Sequence, residues 1–354
     1  MKALTHMEQE ILSQPEVWRE CLESLKESRA IAEICAHTPA NAEWLFIGCG
    51  SSYYNALAAA ATFTGLGLPA RAVPASELLL FPGLVLNSES QRVAVLISRS
   101  GRTSEVLQAG EYLQQHAGVP CVAITCASDS PLEKLARFTL HLRAADECST
   151  VMTRSFTSML LGLQYLGARL QNNAKICEAL EKLPSAVERL IPEQSLRLRD
   201  FVAGHSFEDY VFLAQGPLVG ISQECALKVT ESSVSYAQSF HTMEFRHGPK
   251  SIVAPHTLIG FLLSESGYEV ERGVLEEVKE LGGTTLAVAN SADARTRAAA
   301  DFLIELKLSV PEIVSAAAFV VWGQLLGLYT GLKKGLNPDE PRHLSRVVIL
   351  NGNG

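Results

Sequence analysis

The sequence predicts an α/β protein of two tandem domains, each a parallel sheet flanked by helices in a flavodoxin-like, doubly wound arrangement. Three observations lead to this prediction. The chain has 354 residues, which is more than one typical domain contains. Apolar residues make up 47% of the chain, enough to bury sizeable cores. One pattern of short apolar strands alternating with helical segments also occurs twice along the chain.

Each copy of the pattern opens with a short apolar strand that is closed by glycine and followed by a helix. The first helix is predicted at about 53–64 and its counterpart at 219–234. The predicted strands are 44–48, 93–97, 122–125 and 138–142 in the first copy, and 210–216, 258–263, 286–289 and 302–306 in the second. Strands that alternate with helices in this way imply parallel sheets with helices on both faces.

The two copies define the predicted domain organisation. We expect the first domain to span 30–172 and the second to span 195–340, because most of the repeated strands and helices fall within these limits. Residues 1–29 form a helical opening segment, and the polar, helix-prone stretch 173–194 is the linker. The last residues, 341–354, are predicted to be a C-terminal tail that closes the site.

The charge of the chain excludes one large class of partner. Lys and Arg number 30 and Asp and Glu number 38, which gives a formal net charge of −8, and no long basic run is present. Nucleic-acid binding relies on neutralising many phosphates, so we expect no nucleic-acid partner. A local positive site for one small anion remains compatible with this balance.

The location of the protein is predicted from its cysteines and its N-terminus. The eight cysteines contain no Cys-x-x-Cys pair and mostly lie in apolar stretches, as is typical of buried thiols in a reducing compartment. The first residues lack the apolar core of a signal peptide. No apolar run reaches the roughly 18 residues of a membrane-spanning helix. We therefore expect a cytoplasmic protein with no membrane partner.

The first candidate site lies where the strand 93–97 ends in hydroxyl groups and positive charge. Ser98, Arg99, Ser100, Gly101 and Thr103 follow this strand directly. Ligands of open parallel sheets bind beyond the carboxyl ends of the strands. Backbone amides at a helix start, several hydroxyls and an arginine are groups that bind phosphate. The stretch therefore predicts an anion site.

A second turn reaches the same edge of the predicted sheet. Gly50, Ser51 and Ser52 follow the first strand and add amides and hydroxyls. An alternative explanation of the Ser100 turn remains open, namely a helix-capping box in which Ser100 or Thr103 caps the helix, with a glutamate at 105. The second copy favours the anion site at the first turn, because it has Glu265 and Glu269, in its turn 264–269, where the first has Arg99 and Thr103. We expect such a turn to repel a phosphate.

The other dense stretch is predicted to carry acid–base chemistry. Glu224, Lys228 and Glu231 are spaced four and three residues apart, on one face of the helix 219–234. A solvated salt-bridged stripe is the alternative, yet this helix begins at the carboxyl end of a strand, where a cleft is expected. His247 follows on a loop, and its spacing from His241 and Glu244 fits no common zinc pattern, so we expect no metal.

At these residues the sequence resembles the sugar isomerase (SIS) domain family. It is similar to the isomerase half of glucosamine-6-phosphate synthase and to glutaminase-free amino-sugar-phosphate deaminases and ketose/aldose-phosphate isomerases. The resemblance spans nearly the whole chain, and its motifs follow in the order of the family. They are HMEQEILSQP (6–15), GCGSS (48–52), SRSGRTSE (98–105), MTRSFTSMLL (152–161), ECALKVTE (224–231), EFRHGPKS (244–251) and NPDEPRHLSR (337–346).

The resemblance implies two tandem SIS domains and a role for each candidate residue. Glu231 matches the base that moves a proton between C1 and C2 of a 6-phosphosugar, His247 the histidine that opens the sugar ring, and Lys228 a lysine near the reacting oxygens. In the family the neighbouring subunit contributes that histidine, which implies a homodimer with composite sites. No cofactor is expected. The implied phosphate-binding residues are Ser51, Ser52, Ser98, Arg99, Ser100 and Thr103, and the other pocket residues are Gly50, Thr150, Glu224 and Arg346.

Two departures from the synthase direct the functional prediction. Arg346 stands where the synthase has an imine-forming lysine, and arginine stays charged and forms imines poorly. The chain also starts at the opening segment of the isomerase half, so no glutaminase domain is expected. We therefore predict an enzyme that converts an amino-sugar 6-phosphate, of the glucosamine or galactosamine type, to a ketose 6-phosphate.

Other functions remain open from the sequence. Aldose–ketose isomerisation and deglycation of a fructosamine 6-phosphate use the same chemistry as the deaminase. A phosphosugar-binding sensor without activity belongs to a different class. The sensor is disfavoured, because the residues before the first strand contain no convincing helix-turn-helix and because both Glu231 and His247 are present.

Overall fold

The computed structural model describes residues 4–39, 41–87 and 90–350, which fold into two compact units. The first-sheet unit comprises Glu16–Glu147, Arg154–Glu181 and the described part of Ser345–Gly354. The second-sheet unit comprises Lys182–Leu344 together with Cys148–Thr153 and the described part of Met1–Pro15. One short segment at the start of the chain, one in the middle and one at the end therefore belong to a different unit from the residues that adjoin them in sequence.

The first half of the chain contains nine α-helices and five strands among its described residues. In chain order they are α1 (His6–Leu12), α2 (Gln14–Lys26), α3 (Arg29–His37), β1 (Glu43–Gly48), α4 (Ser51–Gly65), β2 (Ala70–Pro74), α5 (Ala75–Leu80), α6 (Pro82–Val85), β3 (Arg92–Ile97), α7 (Ser104–Tyr112), β4 (Cys121–Thr125), α8 (Pro131–Leu135), β5 (Phe138–His141) and α9 (Arg154–Leu170). A π-helical turn at Leu113–Ala117 follows α7, and a 3-10 turn at Arg143–Ala145 follows β5.

The second half repeats this alternation. Its elements are α10 (Ala174–Val187), α11 (Leu190–Gly204), β6 (Asp209–Ala214), α12 (Val219–Ser233), β7 (Tyr236–His241), β8 (Thr257–Leu263), α13 (Tyr268–Glu280), β9 (Thr284–Ala289), α14 (Ala294–Ala299), β10 (Phe302–Glu305) and α15 (Glu312–Lys333). Single 3-10 turns lie at Gly216–Leu218, Glu244–His247 and Pro249–Ile252.

Both sheets are parallel and share one strand order, which confirms the predicted fold class. The first sheet has the order β2-β1-β3-β4-β5, and the second has the corresponding order β7-β6-β8-β9-β10. In each, the chain leaves the first strand toward one edge and returns on its other side. This reversal lies between β1 and β3 in one sheet and between β6 and β8 in the other, which is where open α/β sheets bind ligands.

Burial explains why the sequence pattern predicts the central strands but not two of the edge strands. The central strands are apolar and almost wholly buried, with Leu45, Ile47 and Leu96 in the first core. Strand β2 has one buried residue out of five, and β7 is half-buried to exposed throughout. The prediction of four strands per copy therefore omits β2 and β7, because neither has the continuous apolar run of a buried strand.

Helices α12 and α15 pack against each other unusually closely in the second-sheet unit. Gly323, Gly327 and Gly331 of α15 face the backbone of α12, and a methyl group at Gly327 would lie 2.6 Å from the carbonyl oxygen of Lys228. Glycine, which has no β-carbon, at every fourth position lets the two helix backbones pack directly against each other. The contact fixes the stretch of α12 that carries Glu224 and Lys228.

The expectation that no stretch is apolar enough to span a membrane does not hold for α15. By length and composition this 22-residue helix qualifies, yet 94% of its most apolar window is buried within the structure. Ser, Gly, Gln and Thr interrupt the apolar run, so the sequence reads as several short runs rather than one. The helix is a buried element of the second-sheet unit.

Candidate functional site

The turn between β1 and α4 brings two serines to the carboxyl end of the first sheet. Gly48 lets the strand pass close to the helix, because a methyl group there would lie 2.5 Å from the backbone of Ser52. Gly50 adopts a φ of 53°, a left-handed conformation that glycine tolerates without strain. Ser51 and Ser52 begin α4 and are buried.

The turn between β3 and α7 is held by hydrogen bonds among its own hydroxyls and amides. The Gly101 amide donates to Ser98 Oγ at 3.1 Å, and the hydroxyls of Ser98 and Thr103 are 3.0 Å apart. The Arg102 amide donates to Ser100 Oγ at 3.2 Å. Thr103 is the N-cap residue of α7, but its side chain makes no capping bond, so the helix-capping alternative is not formed.

The two turns lie side by side at the edge of the first sheet. Ile47 is in register with Leu96 on adjacent parallel strands, so β1 and β3 end together. Beyond them, Cys49 Sγ contacts Glu105 Oε2 at 3.8 Å, which joins the first turn to the first residues of α7. The sequence predicted this meeting of turns, although not the Cys49–Glu105 contact.

Arg99 does not present a free cation at this turn. Its side chain is 5% exposed, and Nη1 lies 3.1 Å from Oε1 of the fully buried Glu147. Nη2 donates to the carbonyl oxygen of Arg346 at 2.9 Å. Sequence reasoning did not identify Glu147, since it is 48 residues away and belongs to no recognised motif.

The tail runs alongside the β3–α7 turn in the first-sheet unit. Arg346 Nη2 is 2.6 Å from Asp146 Oδ1. The Ser104 amide donates to the carbonyl of Val348 at 3.3 Å, and the Leu350 amide donates to Ser104 Oγ at 3.0 Å. Arg346, predicted as a pocket residue, is thus close to the turn through its main chain, while its side chain pairs with an aspartate.

Glu224, Lys228 and Glu231 form a buried charge cluster on α12 in the second-sheet unit. Lys228 Nζ is 3.1 Å from Glu224 and 2.5 Å from Glu231. The side chains of Lys228 and Glu224 are fully buried, which rules out a solvated stripe, whereas Glu231 is 19% exposed. Burial works against the charge on Lys228, but Glu224 and Glu231 outweigh it and raise the pKa of Lys228.

The cluster ends where the backbone is strained. Glu231 lies in the last turn of α12, and Val234 caps the helix with a φ of 49°. A left-handed conformation is costly for a β-branched residue. Strained backbone of this kind concentrates at functional sites. Among these three charged side chains, Glu231 alone combines contact with Lys228 and access to solvent.

His247 lies at the end of the 3-10 turn Glu244–His247, also in the second-sheet unit. The turn is anchored by Phe245, which is fully buried, and by Arg246, whose Nη2 lies 2.5 Å from Glu277. His247 itself is exposed. Thr150 belongs to the same unit through the segment Cys148–Thr153. Across the described residues, no three His, Cys, Asp or Glu side chains are grouped as a metal site requires.

The second sheet has its own version of the Ser98 turn, and that turn holds an anion. The Gly267 amide donates to Ser264 Oγ at 2.9 Å, as the Gly101 amide does to Ser98. Glu312 places Oε1 2.6 Å from the Glu265 amide and Oε2 2.6 Å from Ser266 Oγ. The expectation that this turn repels a phosphate remains a prediction, but backbone amides and a hydroxyl do bind a carboxylate there despite the neighbouring acids.

Known proteins are similar to this chain in sequence, and solved structures are similar to it in fold. Residues 40–168 match the family model of the SIS domain. The isomerizing glutamine–fructose-6-phosphate aminotransferase of Methanothermobacter thermautotrophicus is 26% identical over 337 residues, covering 94% of this chain and 54% of that protein. The corresponding protein of Sulfurisphaera tokodaii is also 26% identical, with 97% and 56% covered. The chain therefore spans about half the length of these curated relatives.

Solved structures match over almost the full length of both chains. Glucosamine-6-phosphate deaminase from Thermotoga maritima is 28% identical, with a TM-score of 0.80 and coverage of 98% of this chain and 100% of that one. Tagatose-6-phosphate ketose/aldose isomerase from Escherichia coli has a TM-score of 0.84 at 23% identity, covering 98% and 96%. The second match establishes similarity of fold only.

Proposed function

We propose, from the premise that residues 40–168 of this chain are a SIS domain, that the protein is a phosphosugar enzyme. Its reaction converts an amino-sugar 6-phosphate and water to a ketose 6-phosphate and ammonia. The solved deaminase, which matches over the full length of both chains, supports this choice among SIS activities. The turns that follow β1 and β3 are assigned to phosphate binding, and the charged side chains of α12 are assigned to acid–base chemistry.

The observation that carries the phosphate assignment is the Glu312 carboxylate on the second copy of the turn. Its partners there are the Glu265 amide and the Ser266 hydroxyl. The corresponding groups of the first copy are the Arg99 amide and the Ser100 hydroxyl. Turns with the same internal hydrogen bond present these groups alike, so an oxyanion of the substrate phosphate takes the corresponding place beside Ser98 and Thr103.

The buried cluster on α12 supplies the proton transfer. In the open-chain sugar, Glu231 removes the proton from C2 and returns it to C1. Over the same steps O1 gains a proton and the amino nitrogen loses one, which leaves a hydroxyl at C1 and an imine at C2. Water adds to this carbon, and the C–N bond breaks to release ammonia. Lys228 stays charged and offsets negative charge that develops on the reacting atoms. Glu224 holds Lys228 in place from the opposite side.

The remaining parts of the proposal come from the resemblance. His247 promotes ring opening from the neighbouring subunit of a homodimer, and its exposure at the end of a 3-10 turn is compatible with that role. Gly50, Ser51 and Ser52 complete the phosphate site, and Thr150 lines the pocket. The enzyme works in the cytoplasm, without a cofactor or metal and without glutamine.

The experiment that tests this function measures ammonium release by a coupled assay. The purified chain is incubated without glutamine, with either glucosamine 6-phosphate or galactosamine 6-phosphate. We expect ammonium from one of these sugars and its loss in Glu231→Gln, with the circular dichroism spectrum unchanged. Absence of ammonium from both sugars would contradict the deaminase proposal.

The alternatives are separated by two further measurements. Exchange of the C2 proton of an aldose 6-phosphate, or of a C1 proton of a ketose 6-phosphate, in D2O without ammonium release identifies an aldose–ketose isomerase, as the fold of the tagatose-6-phosphate enzyme allows. Release of a free amino acid from a fructosamine 6-phosphate identifies a deglycase. Saturable phosphosugar binding with no exchange and no product identifies a sensor.

A further inference from the structure

A buried ion pair lies directly behind the proposed phosphate turn. Glu147 is fully buried, and its carboxylate accepts hydrogen bonds from the hydroxyl and the amide of Ser155 as well as from Arg99. Burying two charges is costly, and it is tolerated when the geometry is good and the remaining lone pairs are satisfied. A pair of this kind holds two parts of the chain in one arrangement.

Arg99 connects three segments at once. Its main-chain carbonyl accepts hydrogen bonds from Thr125 Oγ1 and the Cys126 amide, both at 3.0 Å, which ties the turn to the end of β4. Its guanidinium reaches Glu147 on one side and the Arg346 carbonyl on the other. The turn, the end of β4 and the tail are therefore joined through one residue, by its main chain on one side and its side chain on the other.

Glu147 already neutralises the charge of Arg99, so the role of Arg99 as a direct counter-ion of phosphate is no longer expected. We infer that Arg99 and Glu147 are positioning residues: they set the backbone of the phosphate turn and dock the tail at Arg346. The inference rests on the proposed function of that turn. Phosphate is then bound by amides and hydroxyls, and the guanidinium holds those groups in place without being the counter-ion.

The arrangement also makes binding and tail docking mutually dependent. The tail accepts a hydrogen bond from Arg99, and its Arg346 side chain pairs with Asp146. Its Val348 carbonyl accepts a hydrogen bond from the Ser104 amide beside the turn. Because these segments share the Arg99 side chain, loosening the tail disturbs the turn, and phosphate bound at the turn favours the docked tail.

Two substitutions of Arg99 separate its two contacts. Arg99→Lys retains a cation for Glu147, but a single ammonium does not contact both Glu147 and the Arg346 carbonyl as the guanidinium does. Arg99→Gln removes the charge. Arg102→Gln is the matched control, since Arg102 is an exposed arginine of the same turn. Each chain is titrated with inorganic phosphate by calorimetry and digested with trypsin, which cleaves after Arg346 once the tail is released.

We expect Arg99→Lys and Arg99→Gln to weaken phosphate binding by about tenfold or more, the usual effect of losing a charge-assisted hydrogen bond. Cleavage at Arg346 accelerates in both variants, and added phosphate no longer slows it. In the enzyme assay KM rises and kcat changes less. Arg102→Gln behaves as the unaltered chain does in all three measurements.

The double variant Arg99→Gln/Glu147→Gln covers the case in which a single charge left in the interior prevents folding. It keeps the pair hydrogen-bonded and neutral. Wild-type phosphate affinity and wild-type tail protection in any folded Arg99 variant would overturn the inference. Phosphate titration and trypsin digestion need no turnover, so they give an answer even if no amino-sugar phosphate is a substrate and the proposed reaction fails.

Discussion

At the scale of single residues, raised pKa values distinguish the structural thiols of this protein from its proposed acid–base groups. Burial raises the pKa of Cys121 to about 12, and burial together with Glu105 raises the pKa of Cys49 to about 12. A thiol is nucleophilic as its thiolate, so both cysteines are inert at neutral pH although Cys49 lies in the turn between β1 and α4. Its role there is the contact with Glu105.

Alkylation tests this directly. With iodoacetamide at pH 8, we expect Cys49 and Cys121 of the folded chain to stay unmodified, while the exposed Cys148 is labelled. Peptide mass spectrometry of native and urea-unfolded protein measures the difference. Labelling of all eight cysteines after unfolding is the control. Rapid native labelling of Cys49 would contradict the assignment of a partly buried, protonated thiol.

The raised pKa of Lys228 predicts how stability depends on pH. A lysine whose pKa is higher in the folded state stabilises the fold fully below its unfolded value, 10.5, and loses that contribution as pH rises through the folded value. Lys228 therefore contributes throughout the neutral range, and its contribution falls only above about pH 10.5.

Urea unfolding at neutral and strongly alkaline pH checks this, with Lys228→Met as the comparison. At pH 7 the substitution leaves buried Glu224 without its cation and is expected to cost about 3–5 kcal/mol. The double variant Lys228→Met/Glu224→Gln is expected to regain part of the lost stability and none of the lost activity. A Lys228→Met chain as stable as the unaltered chain at pH 7 would show that the pair contributes nothing.

At the scale of elements, the packing of α12 against α15 determines where the acid–base residues lie. The three glycines of α15 permit a backbone approach that any side chain would prevent. Under the proposed function, displacing α12 by even a fraction of an ångström moves Lys228 relative to the bound sugar, and catalysis is sensitive to such misplacement.

Gly327→Ala tests this contact. Its methyl group would lie 2.6 Å from the Lys228 carbonyl, so α12 has to shift. We expect a loss of about 1–3 kcal/mol in urea unfolding, as overpacked cores show, and a fall in kcat larger than the change in KM. Gly204→Ala, at the end of α11 with open space around it, is the control. Equal effects of the two substitutions would rule out the close-packing argument.

The sequence allowed the elements to be predicted better than the contacts between distant side chains. Apolar runs and the internal repeat located eight of the ten strands described, and topology brought Ser52 and Ser98 to the same edge. Strands β2 and β7 lack the burial that produces a readable pattern. Glu147 and Glu312 could not be predicted, because each acts on a residue 47 or 48 positions away and no periodicity relates them.

At the scale of the whole molecule, the proposed composite site requires that two chains cooperate. If Glu231 of one subunit works with His247 of the other, a hybrid of a Glu231→Gln chain and a His247→Ala chain contains one site with neither substitution. The other site of that hybrid carries both. Homodimers of either variant contain no intact site.

Mixing the two inactive variants after reversible unfolding measures this arrangement. Random pairing makes half of the dimers hybrid, so about a quarter of the wild-type activity should return, as closed two-fold symmetry requires. Each variant refolded alone is the control. If the mixture stays inactive although light scattering shows dimers, both residues act within one chain.

The Glu312 carboxylate on the second turn has a thermodynamic consequence. A ligand that binds only the native state adds stability, about 2.7 kcal/mol at a concentration one hundred times its Kd. Under the proposed function, the first turn obtains its anion from solution and gains this increment as phosphosugar accumulates. The second turn receives its anion through a covalent chain, so dilution never removes it. If phosphate binds the first turn as proposed, inorganic phosphate should therefore raise the melting temperature of the first-sheet unit and leave that of the second-sheet unit unchanged.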